Sequence, residues 1–429
     1  MFRLEHAVRH GGEMQSGPSG LEVTTPTEPW SYAVTVAAGW TTEAPQHQSP
    51  VGIIRLRFAS VKGEISVLAL ATADTVLDEV RIGPSEVSVE IELIAIPLEA
   101  CQSVVIRNGQ SDGEPSRAVL ESIECVDLNA APSANGDEVA APDPLTWSPV
   151  NDWPAYYRGG CRSRAERIRS VRYSQFTGVK RMPWLDGLTV HIWPNDDLSR
   201  VLYVSGAYEP NTMIVMRGWL MPGATFVDVG ANVGMFTMVA ARLVGRDGRV
   251  YAFEPSERER QRLAANLTLN ALEGVTILPQ AIAARQGTMQ LRIGMFPHAG
   301  LNTTAKSFAY PDVAVERIET VETTSLDEFV RTSGIQRIDV IKFDIEGGEC
   351  AALAGAAGVL ARFRPRLILE LSRDAVESHG VTAESLMATV QASGYRLYRV
   401  DSGAQLLPLG VGEDNDEGNV IAVPTEKVP

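Results

Sequence analysis

Along the first third of the chain, apolar side chains recur at every second residue. In GIIRLRFASVKGEISVLALATA, residues 52–73, the alternation runs through Ile54, Leu56 and Phe58, then Ile65, Val67, Leu68 and Leu70. EVSVEIELIAIPL, CQSVVIRNG and AVLESIECVDL repeat it. Short alternating runs divided by Gly, Pro, Asn and Asp predict the strands of an all-β sandwich over residues 1–128. Residues 129–164 follow, beginning NAAPSANGDEVAAPDPLTWSP, rich in Ala, Pro, Gly and acids. With little to bury, this stretch is expected to be a linker.

From residue 165 to 429 the pattern alternates between strand and helix. ATFVDVG reads as a strand and NVGMFTMVAARLV as a helix with Val233, Phe236, Val239, Ala240 and Leu243 on one face. GRVYAFEP is a second strand, and in SERERQRLAANLTLNAL Ser256 is placed to cap a helix with Glu259 at its third position. GVTILPQAIA reads as a third strand, GTMQLRIG as half of a hairpin insertion and SLDEFVRT as a short helix. RIDVIKFDIEG is a fourth strand, GECAALAGAAGVLARF one helix and PRLILELS a fifth strand. AESLMATVQASG, YRLYRV and GNVIAVP supply a last helix and two terminal strands. Such alternation predicts an α/β unit with a mostly parallel sheet covered on both faces.

At 429 residues, two domains are the natural division. The formal net charge of −15 argues against a nucleic-acid partner, which calls for a basic face. No window reaches the roughly 18 apolar residues of a membrane span. The N-terminus scatters charges where a signal peptide needs an apolar run. The four cysteines are far apart and form no CxxC, so a cytoplasmic protein with reduced thiols is expected.

Candidate chemistry begins at TFVDVGANVGMF, residues 225–236, where a buried strand opens into a glycine turn before a helix. Gly230 and Gly234 stand four apart, which is neither the G-x-G-x-x-G of a dinucleotide site nor a P-loop. Glu254 ends the next strand, where two carboxylate oxygens match a vicinal diol such as that of ribose. LPQAIA offers small apolar residues against which a flat adenine fits. Together these features suggest adenosine without a diphosphate.

FVDVGANVGMFT, VYAFEP, LTLN, TSLDEFV, IDVIKFDIEGGE and RPRLILEL, in that order, resemble the successive motifs of the FkbM family of class I S-adenosylmethionine-dependent methyltransferases. The resemblance spans roughly residues 200–425. It implies a Rossmann-like, seven-stranded, mostly parallel sheet and S-adenosyl-L-methionine as cofactor. Asp228, Gly230, Asn232 and Gly234 fall on its cofactor loop, Glu254 on the ribose acid and Ala281 and Ile282 near the adenine. GAYEP resembles a further element and places Glu209 near the methionine end.

In KFDIEGGE, Lys342, Asp344 and Glu346 alternate, so on a continuing strand all three point one way. One reading makes Asp344 or Glu346 the general base for a hydroxyl acceptor, with Lys342 pairing one of them. A second gives them a hard divalent cation, but no His or further carboxylate nearby completes a shell, and no metal is assigned. In a third, Lys342–Glu346 is a structural ion pair. Glu349 reads as an acid at a helix start. Glu370, inside LILELS, is expected to face the same crevice and is grouped with Asp344 and Glu346 as catalytic. His298, in the insertion FPHAGLNTT, is another candidate to touch the acceptor, although a loop histidine with no second feature is more often merely exposed.

The resemblance implies O-methylation of a sugar, glycan or related hydroxyl, and the absence of an N-P-P-[YF] turn at the fourth strand favours oxygen over nitrogen. The sandwich resembles carbohydrate-binding modules in general texture, with Trp30, Tyr32 and Trp40 as aromatics able to stack on a sugar. The expected partner is a small-molecule or glycan acceptor. A non-catalytic glycan-binding or scaffold protein is the alternative, but Gly230, Gly234 and Glu254 are intact. A nicotinamide-dependent oxidoreductase would need the missing G-x-G.

Overall fold

The computed structural model describes residues 2–38, 52–72, 75–95, 101–110, 114–127, 164–298, 300–308, 313–401, 403–410 and 417–428. The chain divides into two compact units, Met1–Ala134 and Asn135–Pro429. The expected linker, apart from Arg164, lies outside the described residues, as does Trp40.

The N-terminal unit consists of two five-stranded antiparallel sheets. One runs in the order Phe2–Arg9, Tyr32–Ala38, Ser103–Asn108, Ile65–Thr72, Thr75–Ile82. The other runs Glu13–Gly17, Gly20–Thr24, Arg117–Asp127, Gly52–Lys62, Val89–Ala95. Leu21, Val23, Leu56, Phe58 and Leu120 of one sheet share a core with Val34, Val36, Ile65, Val67 and Ile106 of the other. Strict alternation fails in Ile65–Thr72, where the first six residues are all buried. Leu68 and Leu70 fill a second cluster with Val105 and Tyr32. Trp30 is also engaged: the guanidinium carbons of Arg81 and Arg107 lie 4.3 and 5.1 Å from its ring centroid.

The C-terminal unit is built on an eight-stranded sheet. In chain order its strands are β1 (Thr225–Val229), β2 (Arg249–Phe253), β3 (Val275–Leu278), β4 (Val340–Phe343), β5 (Arg366–Ser372), β6 (Tyr395–Val400), β7 (Leu406–Pro408) and β8 (Glu417–Pro424). Their spatial order is β3-β2-β1-β4-β5-β8-β6-β7. β1 to β5 are parallel, and β8 runs antiparallel between β5 and β6. Seven strands were expected; the short edge strand β7, paired with β6, makes the eighth. The order reverses between β1 and β4, and such a switch point opens a crevice at the carboxyl ends of the strands.

Three local expectations change. GVTILPQAIA is two strands rather than one, because Pro279 has no N–H to continue a ladder and Ala281–Ile282 joins a separate three-stranded sheet. In that sheet the expected hairpin half Gly287–Gly294 pairs with Val315–Thr324. GECAALAGAAGVLARF breaks into Glu349–Ala354 and Ala357–Phe363 at Gly355, where a Cβ would stand 2.2 Å from the Ala283 carbonyl oxygen. The Asp327 carboxylate then accepts from Gly358 and Val359 N–H at the second helix start. Finally, the helix Met235–Val244 is buried on nearly all sides, not on one face. Met182, Val190 and Ile192 of the hairpin Lys180–Pro183/Thr189–Ile192 share its hydrophobic cluster.

Candidate active site

A cavity of about 1210 Å³ occupies the crevice. Its walls include Glu209, Gly230, Asn232, Glu254, Ala281, Ile282, Asp344, Glu346 and Glu370, nine of the eleven residues expected to form the site. Gly230 ends β1 with φ +86°, and a Cβ there would stand 1.8 Å from the Asp344 carbonyl oxygen. Only glycine lets the two strand ends approach this closely. The chain then turns through Asn232, whose φ is +50°.

Glu254 is the most tightly specified group on this side. One carboxylate oxygen accepts from Asn232 N–H and the other from Ser256 N–H, both at 2.8 Å. It is 6% exposed. Burial, and then the neighbouring Glu259, pushes its pKa up to about 8. Each oxygen keeps a lone pair beyond its backbone bond. Ser256 is the helix N-cap, but the expected capping box does not form: its hydroxyl bonds the Glu259 carboxylate instead of an amide.

Asp228 and Gly234 are absent from the walls. Asp228 lies beneath the turn, 1% exposed, accepting from Thr237 Oγ1 at 2.5 Å, and its Oδ1 has no partner among the described residues. Burial raises its pKa against the pull of Lys342, its neighbour across the β1–β4 register. Gly234 starts the next helix at φ +94°, with a Cβ position only 2.3 Å from Leu263 Cδ1. Both residues shape the loop from below.

The opposite wall is acidic. β4 ends at Phe343, so Asp344 and Glu346 do not continue the strand alternation; Glu346 sits in a turn at φ +52°. They nevertheless converge with Glu370 from β5, one oxygen of each lying within 4.8 Å of the others. The ion pair is Lys342–Asp344 rather than Lys342–Glu346. Lys342 is 2% exposed, its ammonium 4.6 Å from the Phe236 ring centroid. Burial works against Lys342, but Asp344, Glu209 and Asp228 raise its pKa. Burial also works against Asp344, but Lys342 holds its carboxyl below the usual range. Burial and then Asp344 push Glu346 and Glu370 well above it.

Glu209 precedes the helix Pro210–Trp219 with φ +40°, and Asn419 of β8 donates to its carboxylate at 2.6 Å. Burial raises its pKa, with Lys342 opposing. Glu209, Asn232 and Glu346 are thus three non-glycine residues with left-handed backbones that line the same cavity, a strain that concentrates at functional sites. Glu349 is 1% exposed and accepts from Ile345 N–H; burial first raises its pKa to about 7.

Sequence reasoning offered His298 as a loop candidate and missed Asp197 and Asn419, which line the cavity with it. His298 is half-buried, its Nδ1 2.9 Å from Asp197 Oδ2, and both residues line the cavity. Its turn is fixed by Phe296, whose ring lies 4.6 and 4.9 Å from the guanidinium carbons of Arg258 and Arg262. Gly294 N–H also donates to Asn302 Oδ1 across that turn. Asp197 is 101 positions from His298, and nothing in the sequence links them. Asn419 was visible only as part of a terminal strand. Alternating the parallel β4 and antiparallel β8 around β5 is what brings it beside Glu209.

The parallel sheet with its switch-point cavity defines a doubly wound ligand-binding fold. Residues 228–397 match the family described as the methyltransferase FkbM domain, and the C-terminal unit is a methyltransferase unit. Methyltransferase sdnD of Sordaria araneosa is 32% identical over 155 residues, covering 30% of this chain and 59% of that protein. The AMB antimetabolite synthetase AmbE of Pseudomonas aeruginosa is 26% identical over 208 residues, 42% of this chain and 10% of that protein. The chain therefore spans about three fifths of the first relative and a tenth of the second. Among solved structures, methyltransferase FkbM from Methylobacillus flagellatus aligns at 15% identity and a TM-score of 0.33, covering 52% of each chain. An S-adenosylmethionine-dependent O-methyltransferase from Thermotoga maritima aligns at 15% and 0.29, covering 51% of this chain and 66% of that one.

Proposed function

We propose that the protein transfers a methyl group from S-adenosylmethionine to a hydroxyl of a sugar, glycan or related secondary metabolite. The observation that carries this reading is Glu254, a buried carboxylate fixed by two backbone amides on the wall of a cavity that also holds an acidic cluster. The residues present fit the cofactor. Glu254 has acceptor capacity for the ribose diol, Ala281 and Ile282 offer an apolar face for adenine, and Gly230 leaves the turn bare of a side chain. Glu209 gives a carboxylate for the cofactor's ammonium end.

When bound, the cofactor supplies an electrophilic methyl group on a positively charged sulfur. Asp344, Glu346 and Glu370 receive the hydroxyl side of the reaction: they hydrogen-bond the acceptor and take its proton. Lys342 keeps Asp344 ionised, which makes Asp344 a good hydrogen-bond acceptor and a weak base. The match within an antimetabolite synthetase supports a secondary-metabolite acceptor. The N-terminal unit would add affinity for a large acceptor by holding it near the cavity.

Calorimetric titration tests the cofactor. S-adenosylmethionine and S-adenosylhomocysteine are expected to bind and NAD is not; failure of the first two would overturn the reading. Transfer of isotope-labelled methyl from the cofactor to a panel of sugars and hydroxylated metabolites then tests the acceptor. A label confined to amines would exclude oxygen.

A further inference from the structure

We infer that the Asp344–Glu346–Glu370 cluster is a proton store tied to cofactor charge: it releases a proton when the cationic cofactor binds and takes the acceptor's proton as methyl transfer removes that charge. This rests on the methyltransferase reading above. Asp344, just past the end of β4, and Glu370, on β5, bring two carboxyl groups together on the cavity wall. Glu346 completes a set whose nearest oxygens lie within 4.8 Å of one another. Carboxylates this close do not all ionise together.

The surrounding charges leave little compensation. Lys342 faces the cluster from β4 and is bonded to Asp344, but it is also faced by Glu209 and by Asp228 of β1. Glu349, from the following helix, adds a buried carboxyl whose Oε2 has no partner among the described residues. His379 approaches through the turn at Gly347, with its ring nitrogens bonded to Thr304 and Ala375. Arg399 and Asp401 stand on the cavity wall as well. The raised carboxyls of Glu346 and Glu370 agree with a protonated resting cluster. A unit charge about 5 Å away changes a carboxyl's proton affinity by roughly a hundredfold at an effective dielectric of about 20.

The step balances. The acceptor's O–H bond breaks and its proton goes to a cluster carboxylate. The oxygen forms the new bond to the methyl carbon, and the C–S electron pair stays on sulfur, which becomes neutral. Loss of that positive charge restores the cluster's affinity for the proton at the moment one is released.

The test compares the two forms of the cofactor, which differ in charge at sulfur. Full-length protein is titrated calorimetrically with S-adenosylmethionine and with S-adenosylhomocysteine at pH 6.5, in buffers of different ionisation enthalpy. At that pH an α-amino group, with an ordinary pKa of about 8, stays protonated in both. Protons released by Glu254 on binding ribose are common to both ligands and cancel. S-adenosylmethionine is expected to release up to one proton more than S-adenosylhomocysteine, and Glu370→Gln to reduce the difference. Equal proton counts in the wild-type protein, which needs no variant, would overturn the inference while leaving the methyltransferase reading intact. Binding of neither ligand would overturn both.

Discussion

At the scale of single residues, the site is a contest between burial and charge that Lys342 arbitrates. It is the cation among Asp228, Glu209 and Asp344, and its pairing with Asp344 is what keeps one carboxylate of the cluster ionised. Lys342→Met should therefore destabilise the protein by about 3–5 kcal/mol at pH 8. At pH 5, where more of the carboxyls carry protons, the loss should be smaller. Urea unfolding at both pH values checks this, and an equal loss at each would show that Lys342 is not their counter-charge. Glu254→Ala removes both acceptor oxygens offered to the ribose hydroxyls. It should weaken S-adenosylhomocysteine binding by about 10²-fold in calorimetry, and near wild-type affinity would detach Glu254 from the ribose.

Elements position these residues by ending where they do. β1 and β4 stop side by side, and Gly230 permits the contact with Asp344 that closes the crevice. The turn after Gly294 presents His298 because Phe296 is held between two arginines of the helix Glu257–Leu269. Phe296→Ala should accelerate amide hydrogen exchange across residues 294–301, with little change in β1 or β4. Unchanged exchange there would mean that the backbone bonds of the turn hold it without the ring.

For the whole molecule, the raised carboxyls predict how stability depends on pH. Glu254 titrates near 8 in the fold, after burial and Glu259, against an ordinary value near 4.3 in an unfolded chain. The folded protein therefore binds its proton more tightly, so the contribution is full below the unfolded value and is lost as pH rises to about 8. For Glu254 alone the loss is roughly 5 kcal/mol. Glu349, raised to about 7, acts in the same direction. Unfolding free energy should fall between pH 5 and 8, and Glu254→Gln should flatten that slope in denaturant titrations. A slope unchanged by the substitution would assign the dependence elsewhere. Ligand binding should raise stability by about 2.7 kcal/mol at 100 times Kd.

What the sequence determined by itself is local and periodic. Alternation marked the β-rich first third, strand–helix alternation marked the parallel sheet, and the glycine turn with Glu254 located the crevice, because these depend on neighbours in the chain. Element lengths were less legible: Pro279 breaks a strand and Gly355 a helix whose apolar pattern runs on, since the break lies in backbone pairing and close approach. Tertiary structure alone placed Asp228 beneath the loop instead of in it. It chose Asp344 over Glu346 as the partner of Lys342, and it joined Asp197 to His298 and Asn419 to Glu209. Those relations arise from strand order and burial, which bring together charges that are far apart in sequence and change their proton affinities in ways no spacing encodes.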